Sequence, residues 1–128
     1  ANVFHTYHLL RANKLPAENI ITFADIANNP ENPFPGQVFH DTEHENIYKG
    51  VEIDYRGEEV NSEIFAKVLE GDTELEKQGK KVLKSGPGEN VFIYYSGHGT
   101  IGYISFSNGK LSATQLNDIL AKMRSKKV

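Results

Sequence analysis

The sequence predicts an α/β fold, a sheet flanked by helices, and three observations support that prediction. Residues 91–95 form an apolar run with the length and composition of a buried strand. Segments with capping residues and one apolar face predict helices, and short β-branched or aromatic runs lie between them. These elements alternate along the chain without an internal repeat, which is typical of α/β architecture.

The first predicted elements are a helix, a strand and a loop. The helix should end near Asn13, because Pro16 lies just beyond that position. The β-branched run at residues 19–23 predicts a buried strand. Residues 24–50, rich in proline, glycine, amide and acidic residues, predict a long ordered loop. The buried face of the helix is expected from three residues spaced i, i+4 and i+7: Val3, Tyr7 and Leu10.

Two further helices carry clear start signals. Asn61 is the predicted N-cap of the second helix. Ser112 is the predicted N-cap of the third, and Gln115 completes a capping box. Between these helices, residues 102–106 predict a strand that leads into a tight turn at Asn108-Gly109. The second helix is expected to bury Ile64, Phe65, Val68 and Leu69, and the third Leu116, Ile119, Leu120 and Met123.

The strongest candidate for chemistry is the histidine that follows the apolar run at residues 91–95. His98 stands between Gly97 and Gly99, at the predicted carboxyl end of a sheet strand, where α/β sheets bind ligands. Imidazole titrates near neutral pH and can act as a general acid or base. The glycines let a substrate approach the main chain closely. A tight turn in which His98 only caps the strand end is the alternative interpretation.

Composition bounds the class of protein. The chain has 128 residues, 38% hydrophobic and 24% charged, as expected for one globular domain. The absence of cysteine excludes disulfides, thiolate metal sites and a thiol nucleophile within these residues. No apolar run is long enough to predict a membrane span.

Residues 1–70 carry a net charge of −7 and residues 71–128 a net charge of +4. The basic clusters lack interleaved aromatics, so solvated surfaces are favoured and no nucleic-acid partner is expected.

Two groups of histidines could suggest a metal site. His5 and His8 share a helical face, and His40 and His44 are spaced i, i+4. Neither pair has a third ligand at a convincing spacing, and tetrahedral sites need at least three protein ligands. We therefore expect no metal ion and no cofactor.

Several segments, taken in order, carry a resemblance to a known family. The apolar run that ends in His98-Gly99 resembles the histidine motif of the caspase-like clan of cysteine peptidases. Further segments resemble those of legumain, the asparaginyl endopeptidase family of that clan, and together they extend over essentially the whole chain: residues 1–10, 13–16, 32–36, 48–51, 54–60 and 83–87.

The resemblance implies a caspase/haemoglobinase-like sheet flanked by helices, with residues 1–128 as a single, partial peptidase catalytic domain. In that family one strand precedes the first helix, and the strand that carries the nucleophilic cysteine follows the third. Both are expected outside this chain, as are the specificity-pocket segments and any C-terminal prodomain, so no substrate-binding residue is assigned. Carried onto this sequence, the resemblance makes His98 the acid/base and Gly99 an oxyanion donor through its main-chain N–H.

The implied activity is that of a thiol protease, a cysteine endopeptidase that cleaves after Asn and less readily after Asp. Transpeptidase or ligase activity is an option within the same family. The implied partners are peptide or protein substrates, the remainder of the catalytic domain, and a prodomain, since such enzymes are made as zymogens. By the same analogy the location is lysosomal, vacuolar or secreted.

Two places depart from the family pattern: residues 23–26 form a segment that is a residue or two shorter than its family counterpart, and the residue before His98 differs. Legumains commonly carry Asp immediately before the catalytic histidine, where this chain has Gly97. An Asp there can cyclise to a succinimide, a reaction that has been linked to ligase behaviour, and glycine cannot undergo this cyclisation. In this respect residues 96–99 resemble the metacaspases and the glycosylphosphatidylinositol transamidase. The alternatives are therefore a transamidase catalytic subunit and a non-catalytic caspase-like interaction domain.

Overall fold

The structure, a computed structural model, describes residues 2–24, Pro33 and residues 49–126. Most of the loop predicted at residues 24–50 lies outside this set, together with His40 and His44. The chain divides by its internal contacts into two compact units, Ala1–Gly57 and Glu58–Val128. Each unit has a buried apolar cluster of its own.

The first unit begins with helix α1, Asn2–Ala12, which confirms the helix predicted from the apolar spacing. Its buried residues are Phe4 and Tyr7, whereas Val3 and Leu10 of the predicted face are only half-buried. Phe4, only 1% exposed, was not expected in the core. Because Phe4 and Tyr7 are spaced i, i+3, they still share one side of the helix. The buried face is therefore shifted from the predicted one.

The prediction of a strand at residues 19–23 is wrong for most of that segment. Ala17–Asn19 form a 3-10 helix, and only Phe23 makes a bridge, parallel to Tyr55. The rings of Phe23 and Tyr55 stack with their centroids 4.5 Å apart. A strand extends only as far as a partner supplies a ladder of hydrogen bonds, and here that partner reaches a single residue.

The second unit contains three helices, of which two were predicted. The Asn61 side chain accepts the Ile64 N–H at 2.8 Å, which confirms the N-cap of the first of them. Ser112 and Gln115 form the predicted capping box at the start of the last. The middle helix has Asp72 as its N-cap and was not predicted, because a segment of five residues is too short to show an apolar period. The helices are α2, Ser62–Leu69; α3, Thr73–Lys77; and α4, Ala113–Ser125.

A small antiparallel sheet lies in the same unit, so the described fold combines helices with a three-stranded sheet. Its strands, in order, are β1, Gly99–Thr100; β2, Tyr103–Phe106; and β3, Gly109–Ser112. Strand β2 confirms the strand predicted at residues 102–106. Phe106 pairs with Gly109, so the two turn residues are Ser107 and Asn108 rather than the predicted Asn108-Gly109 pair. Gly109 instead starts β3 with φ of 118°, a conformation that favours glycine.

The core of the second unit joins the sheet to two helices. Its buried residues come from α2, β3 and α4: Leu69, Leu111, Ile119 and Met123. Leu116 packs against this cluster as predicted, but Leu120 is 42% exposed and its assignment to the core was wrong. At about 100° per residue, Leu120 lies about 40° from Leu116, on the side opposite to Ile119, so it stands at the edge of the buried face and not at its centre. The Lys122 Nζ atom lies 3.7 Å from Oε1 of Glu70, and this ion pair links α4 to the end of α2.

The buried strand predicted at residues 91–95 is not formed. No main-chain strand pairing joins this segment to another described residue, and all five of its side chains are exposed, with Phe92 at 75%. A strand needs a neighbour to satisfy its N–H and C=O groups, and its apolar side chains need a facing layer. The composition of residues 91–95 indicates a sheet strand, but the described residues supply neither requirement.

Candidate active site

His98 lies directly before strand β1, in an exposed segment that follows the apolar run. The Ser105 N–H donates to the His98 carbonyl oxygen at 2.8 Å. This bond continues the register of β1 and β2, in which Gly99 lies opposite Ile104. The histidine is therefore held by its main chain against strand β2, while its side chain is exposed to solvent.

The same register determines the direction of the Gly99 N–H. In an antiparallel ladder, hydrogen-bonded and non-hydrogen-bonded pairs alternate. Because His98 and Ser105 form a hydrogen-bonded pair, Gly99 and Ile104 form the non-hydrogen-bonded pair that follows. The Gly99 N–H consequently points out of the ladder, away from β2. A main-chain N–H that points away from its own sheet can donate to a new acceptor, such as a substrate oxygen.

A tyrosine from the apolar run reaches this main chain. The Tyr95 hydroxyl lies 2.6 Å from the His98 carbonyl oxygen and 2.6 Å from the Ser105 carbonyl oxygen. A phenol carries one hydrogen, so the hydroxyl donates it to these two acceptors in common. The His98 carbonyl oxygen thus receives both the Ser105 N–H and the Tyr95 O–H, which uses its two lone pairs.

Gly97 lies against the same hydroxyl. A Cβ atom built at position 97 would be 2.7 Å from the Tyr95 oxygen and 3.0 Å from its Cζ atom. A carbon atom does not approach that closely without displacement of its neighbour. With the Tyr95 ring in this position, only a glycine fits before His98 without a shift of the ring.

The Tyr95 ring is connected to the core of the second unit. Its centroid lies 6.3 Å from that of Phe106, in a tilted arrangement. Phe106 in turn lies 5.4 Å from Phe65 of helix α2. Aromatic pairs at these separations attract one another beyond their burial. The three rings thus tie the segment before His98 to β2 and α2, although Tyr95 itself remains 38% exposed.

His98 and Gly99 are the candidate site residues predicted from the sequence, whereas Tyr95 and Ser105, which contact the same main chain, were not predicted. The structure places His98 and Gly99 side by side at the start of β1, with Ser105 opposite His98. In the predicted strand, Tyr95 is only one of five apolar or aromatic residues. Its position three residues before His98 was the available signal, since a phenol at the end of an apolar run needs a hydrogen-bond partner.

No metal centre is formed by the residues that the structure describes: no group of three or more histidine or acidic residues is arranged to hold an ion. His8 makes an edge contact with the Tyr7 ring, at 5.8 Å between centroids. The candidate group around His40 and His44 lies outside the described residues.

Part of the positive charge in the second unit is compensated by nearby acids. Two of these pairs are close, Lys80 with Glu59 at 2.8 Å and Lys84 with Glu76 at 2.9 Å. Such surface pairs contribute little to stability, but they reduce the net charge that a polyanion would meet. No helix among residues 2–24 and 49–126 has the length and apolarity needed to cross a membrane.

Sequence comparison assigns the chain to a class that agrees with this site. A profile described as the Peptidase C13 family matches residues 1–128. The chain belongs to the Peptidase C13 family.

Individual relatives support this assignment. The chain is 47% identical to a protein named hemoglobinase from Schistosoma mansoni, over 99% of this chain and 29% of the relative. It is 44% identical to legumain from Rattus norvegicus, over 96% of this chain and 29% of the relative. It is 43% identical to the vacuolar-processing enzyme delta-isozyme from Arabidopsis thaliana, over 99% of this chain and 28% of the relative. The chain therefore spans less than a third of the length of these relatives.

Proposed function

We propose that this chain is part of the catalytic domain of a cysteine endopeptidase that cleaves peptide bonds after Asn, and less readily after Asp. Membership of the Peptidase C13 family supports a peptidase. The observation that carries the proposal is the pairing of an exposed His98 imidazole with a Gly99 N–H that points out of the β1–β2 ladder. One residue supplies proton transfer and the next supplies a hydrogen-bond donor.

The proposed mechanism needs a thiol from outside these residues, because the 128 residues contain no cysteine. His98 accepts the thiol proton, the thiolate attacks the scissile carbonyl carbon, and His98 then donates the proton to the leaving amine. Water hydrolyses the resulting acyl-enzyme with His98 as the base. The Gly99 N–H donates to the oxyanion of each tetrahedral intermediate, and the loss of one such donor typically costs about 10²–10³ in rate.

The exposed apolar run before His98 fits a partial domain. Residues 91–95 have the composition of a sheet strand, yet no main-chain strand pairing joins them to another described residue. We therefore place residues 1–128 within one larger catalytic domain, in which strands from elsewhere in the protein flank residues 91–95. In that domain the sheet takes the caspase-like arrangement, and His98 stands at the carboxyl end of a complete strand, as α/β sites do.

The remaining assignments follow the same family. We place a prodomain and the specificity pocket outside residues 1–128, and propose protein substrates, a zymogen precursor, and a lysosomal, vacuolar or secreted location. One relative bears the name vacuolar-processing enzyme, which supports the vacuolar option. The matched relatives are named hemoglobinase, legumain and vacuolar-processing enzyme, so they do not favour the transamidase alternative.

The test is turnover by the full-length parent protein. A peptide with a single Asn and a fluorogenic leaving group should be cleaved, and the same peptide with Gln in place of Asn should not. His98→Ala should abolish turnover while leaving the folded fraction unchanged. His5→Ala, a histidine of helix α1, is the matched control and should retain activity. Full activity in His98→Ala would exclude the proposed role, and absence of turnover in the unaltered parent under all activating conditions would favour a non-catalytic domain.

A further inference from the structure

The hydroxyl of Tyr95 occupies a position that the proposed chemistry does not use directly. It lies 2.6 Å from the main-chain carbonyl oxygens of His98 and Ser105, one on each side of the β1–β2 ladder. It therefore bridges the two strands at the residue that bears the imidazole. Both acceptors of this hydroxyl among the described residues are main-chain oxygen atoms, so its role here is to hold the main chain.

The hydrogen-bonded ladder between β1 and β2 is short, and a side-chain bridge between the two strands stabilises it. Strand β1 has only two residues, Gly99 and Thr100. Directly before them, the Ser105 N–H donates to the His98 carbonyl oxygen. Short edge pairings fray readily, since few hydrogen bonds oppose the chain entropy. A side-chain donor on the same carbonyl opposes fraying where His98 and Gly99 must be held.

The glycine at position 97 belongs to the same arrangement. With a Cβ atom 2.7 Å from the Tyr95 oxygen, any other residue would push the ring away from the His98 carbonyl. Gly97 and Tyr95 are thus sterically matched. A hydroxyl at this site and a side chain before the histidine cannot both be present unless the Tyr95 ring or the loop shifts.

We propose that Tyr95 is a positioning residue for the active site: its hydroxyl, seated against Gly97, holds the His98–Gly99 main chain in the geometry that proton transfer and oxyanion binding require. This inference rests on the proposed peptidase function. The ring is held in turn by Phe106 and, through it, by Phe65 of helix α2. The packing of the second unit thus restrains the His98 main chain, and with it the position of the imidazole, through the ring and hydroxyl of Tyr95.

The test compares two tyrosines in the full-length parent protein. Tyr95→Phe removes only the bridging hydroxyl, and Tyr94→Phe makes the same change one residue earlier. Because misplacement of a catalytic group by about 1 Å can cost 10²-fold, we expect Tyr95→Phe to lower kcat at least about tenfold with little change in KM. Tyr94→Phe should leave both near the wild-type values. Equal kcat for the two variants would overturn the inference.

A second experiment tests whether substitutions at positions 95 and 97 affect each other. Gly97→Ala should lower kcat in the unaltered background and should cost a smaller factor when Tyr95→Phe is also present, because the nearest clash is then gone. The relief is partial, since the ring carbon Cζ also lies only 3.0 Å from the added Cβ. Strictly additive effects of the two substitutions would contradict a shared arrangement, because independent sites add.

The outcomes separate this inference from the proposed function. If His98→Ala abolishes turnover and Tyr95→Phe does not change it, the peptidase stands and the positioning role falls. Amide hydrogen exchange supplies a readout that needs no turnover. Tyr95→Phe should accelerate exchange at Ser105, whose N–H donates to His98, relative to Tyr94→Phe. An unchanged exchange rate at the Ser105 amide would contradict the bridging role of the Tyr95 hydroxyl, even in a protein without peptidase activity.

Discussion

Gly99 faces Tyr103 so closely that a Cβ atom at position 99 would lie 3.2 Å from the Tyr103 carbonyl oxygen. The contact follows from the register, because Gly99 lies in the non-hydrogen-bonded pair, in which opposed main chains approach most closely. The absence of a side chain therefore lets strand β1 lie against β2 with the Gly99 N–H directed outward.

The first prediction follows from this approach. Gly99→Ala should displace β1 by a few tenths of an ångström and lower kcat about tenfold or more, with a smaller effect on KM, because oxyanion binding depends on donor placement. The measurement is steady-state kinetics on an Asn-containing peptide. Gly88→Ala is the matched control, since no atom lies within 4 Å of a Cβ built there. Wild-type kinetics in Gly99→Ala would show that the close approach is unimportant.

The second prediction concerns the core of the second unit. Leu111→Ala should lower the free energy of unfolding by about 2–5 kcal/mol, because Leu111 is 2% exposed and its removal leaves a cavity. Leu120→Ala, at a leucine that is 42% exposed, should cost far less. Denaturant unfolding of the parent protein measures both. Equal costs would contradict the assigned core face of helix α4.

The third prediction concerns the start of helix α4. The Ser112 side chain accepts the Gln115 N–H at 3.1 Å, and the Gln115 side chain accepts the Ser112 N–H at 2.8 Å. Ser112→Ala should therefore lower the free energy of unfolding by about 1 kcal/mol. Ser112→Asp keeps an acceptor and should restore most of the loss. If both variants are as stable as the wild type, the cap contributes nothing.

The fourth prediction tests the first unit. The Asp54 carboxylate accepts the N–H of buried Thr22 at 2.8 Å. Asp54→Ala should cost about 1–3 kcal/mol, because a buried donor loses its partner. Glu58→Ala, at an exposed acidic residue, should change stability by no more than about 0.5 kcal/mol. The two variants are compared by denaturant midpoint and slope. An equally small effect of Asp54→Ala would indicate that Thr22 finds another acceptor.

The sequence predicted those elements whose signals are local. The caps at Asn61 and Ser112 and the helices α2 and α4 depend on residues within two turns, and these elements formed, although Leu120 of the predicted α4 stripe is exposed. Residues 19–23 and 91–95 were predicted as strands from composition, but a strand requires a partner from elsewhere in the chain. Helix α3 was missed because five residues show no period.

The candidate site was predicted only in part for a similar reason. His98 and Gly99 could be named from a motif of adjacent residues. The bridge from Tyr95 to Ser105 spans ten residues and depends on the hairpin between β1 and β2, so no spacing rule reveals it. The reason for a glycine at position 97 is likewise visible only once the Tyr95 ring is in place.

The central claim is that His98 activates a cysteine supplied from outside residues 1–128. A peptide electrophile with Asn at the reactive position, incubated with the full-length parent protein, should label one cysteine, and digestion with mass spectrometry locates the adduct. We predict an adduct outside residues 1–128 that forms rapidly in the wild type and at least about tenfold more slowly in His98→Ala, because the thiolate is the reactive form. An adduct that forms at the same rate in both proteins, or no adduct at all in the active protein, would contradict the account.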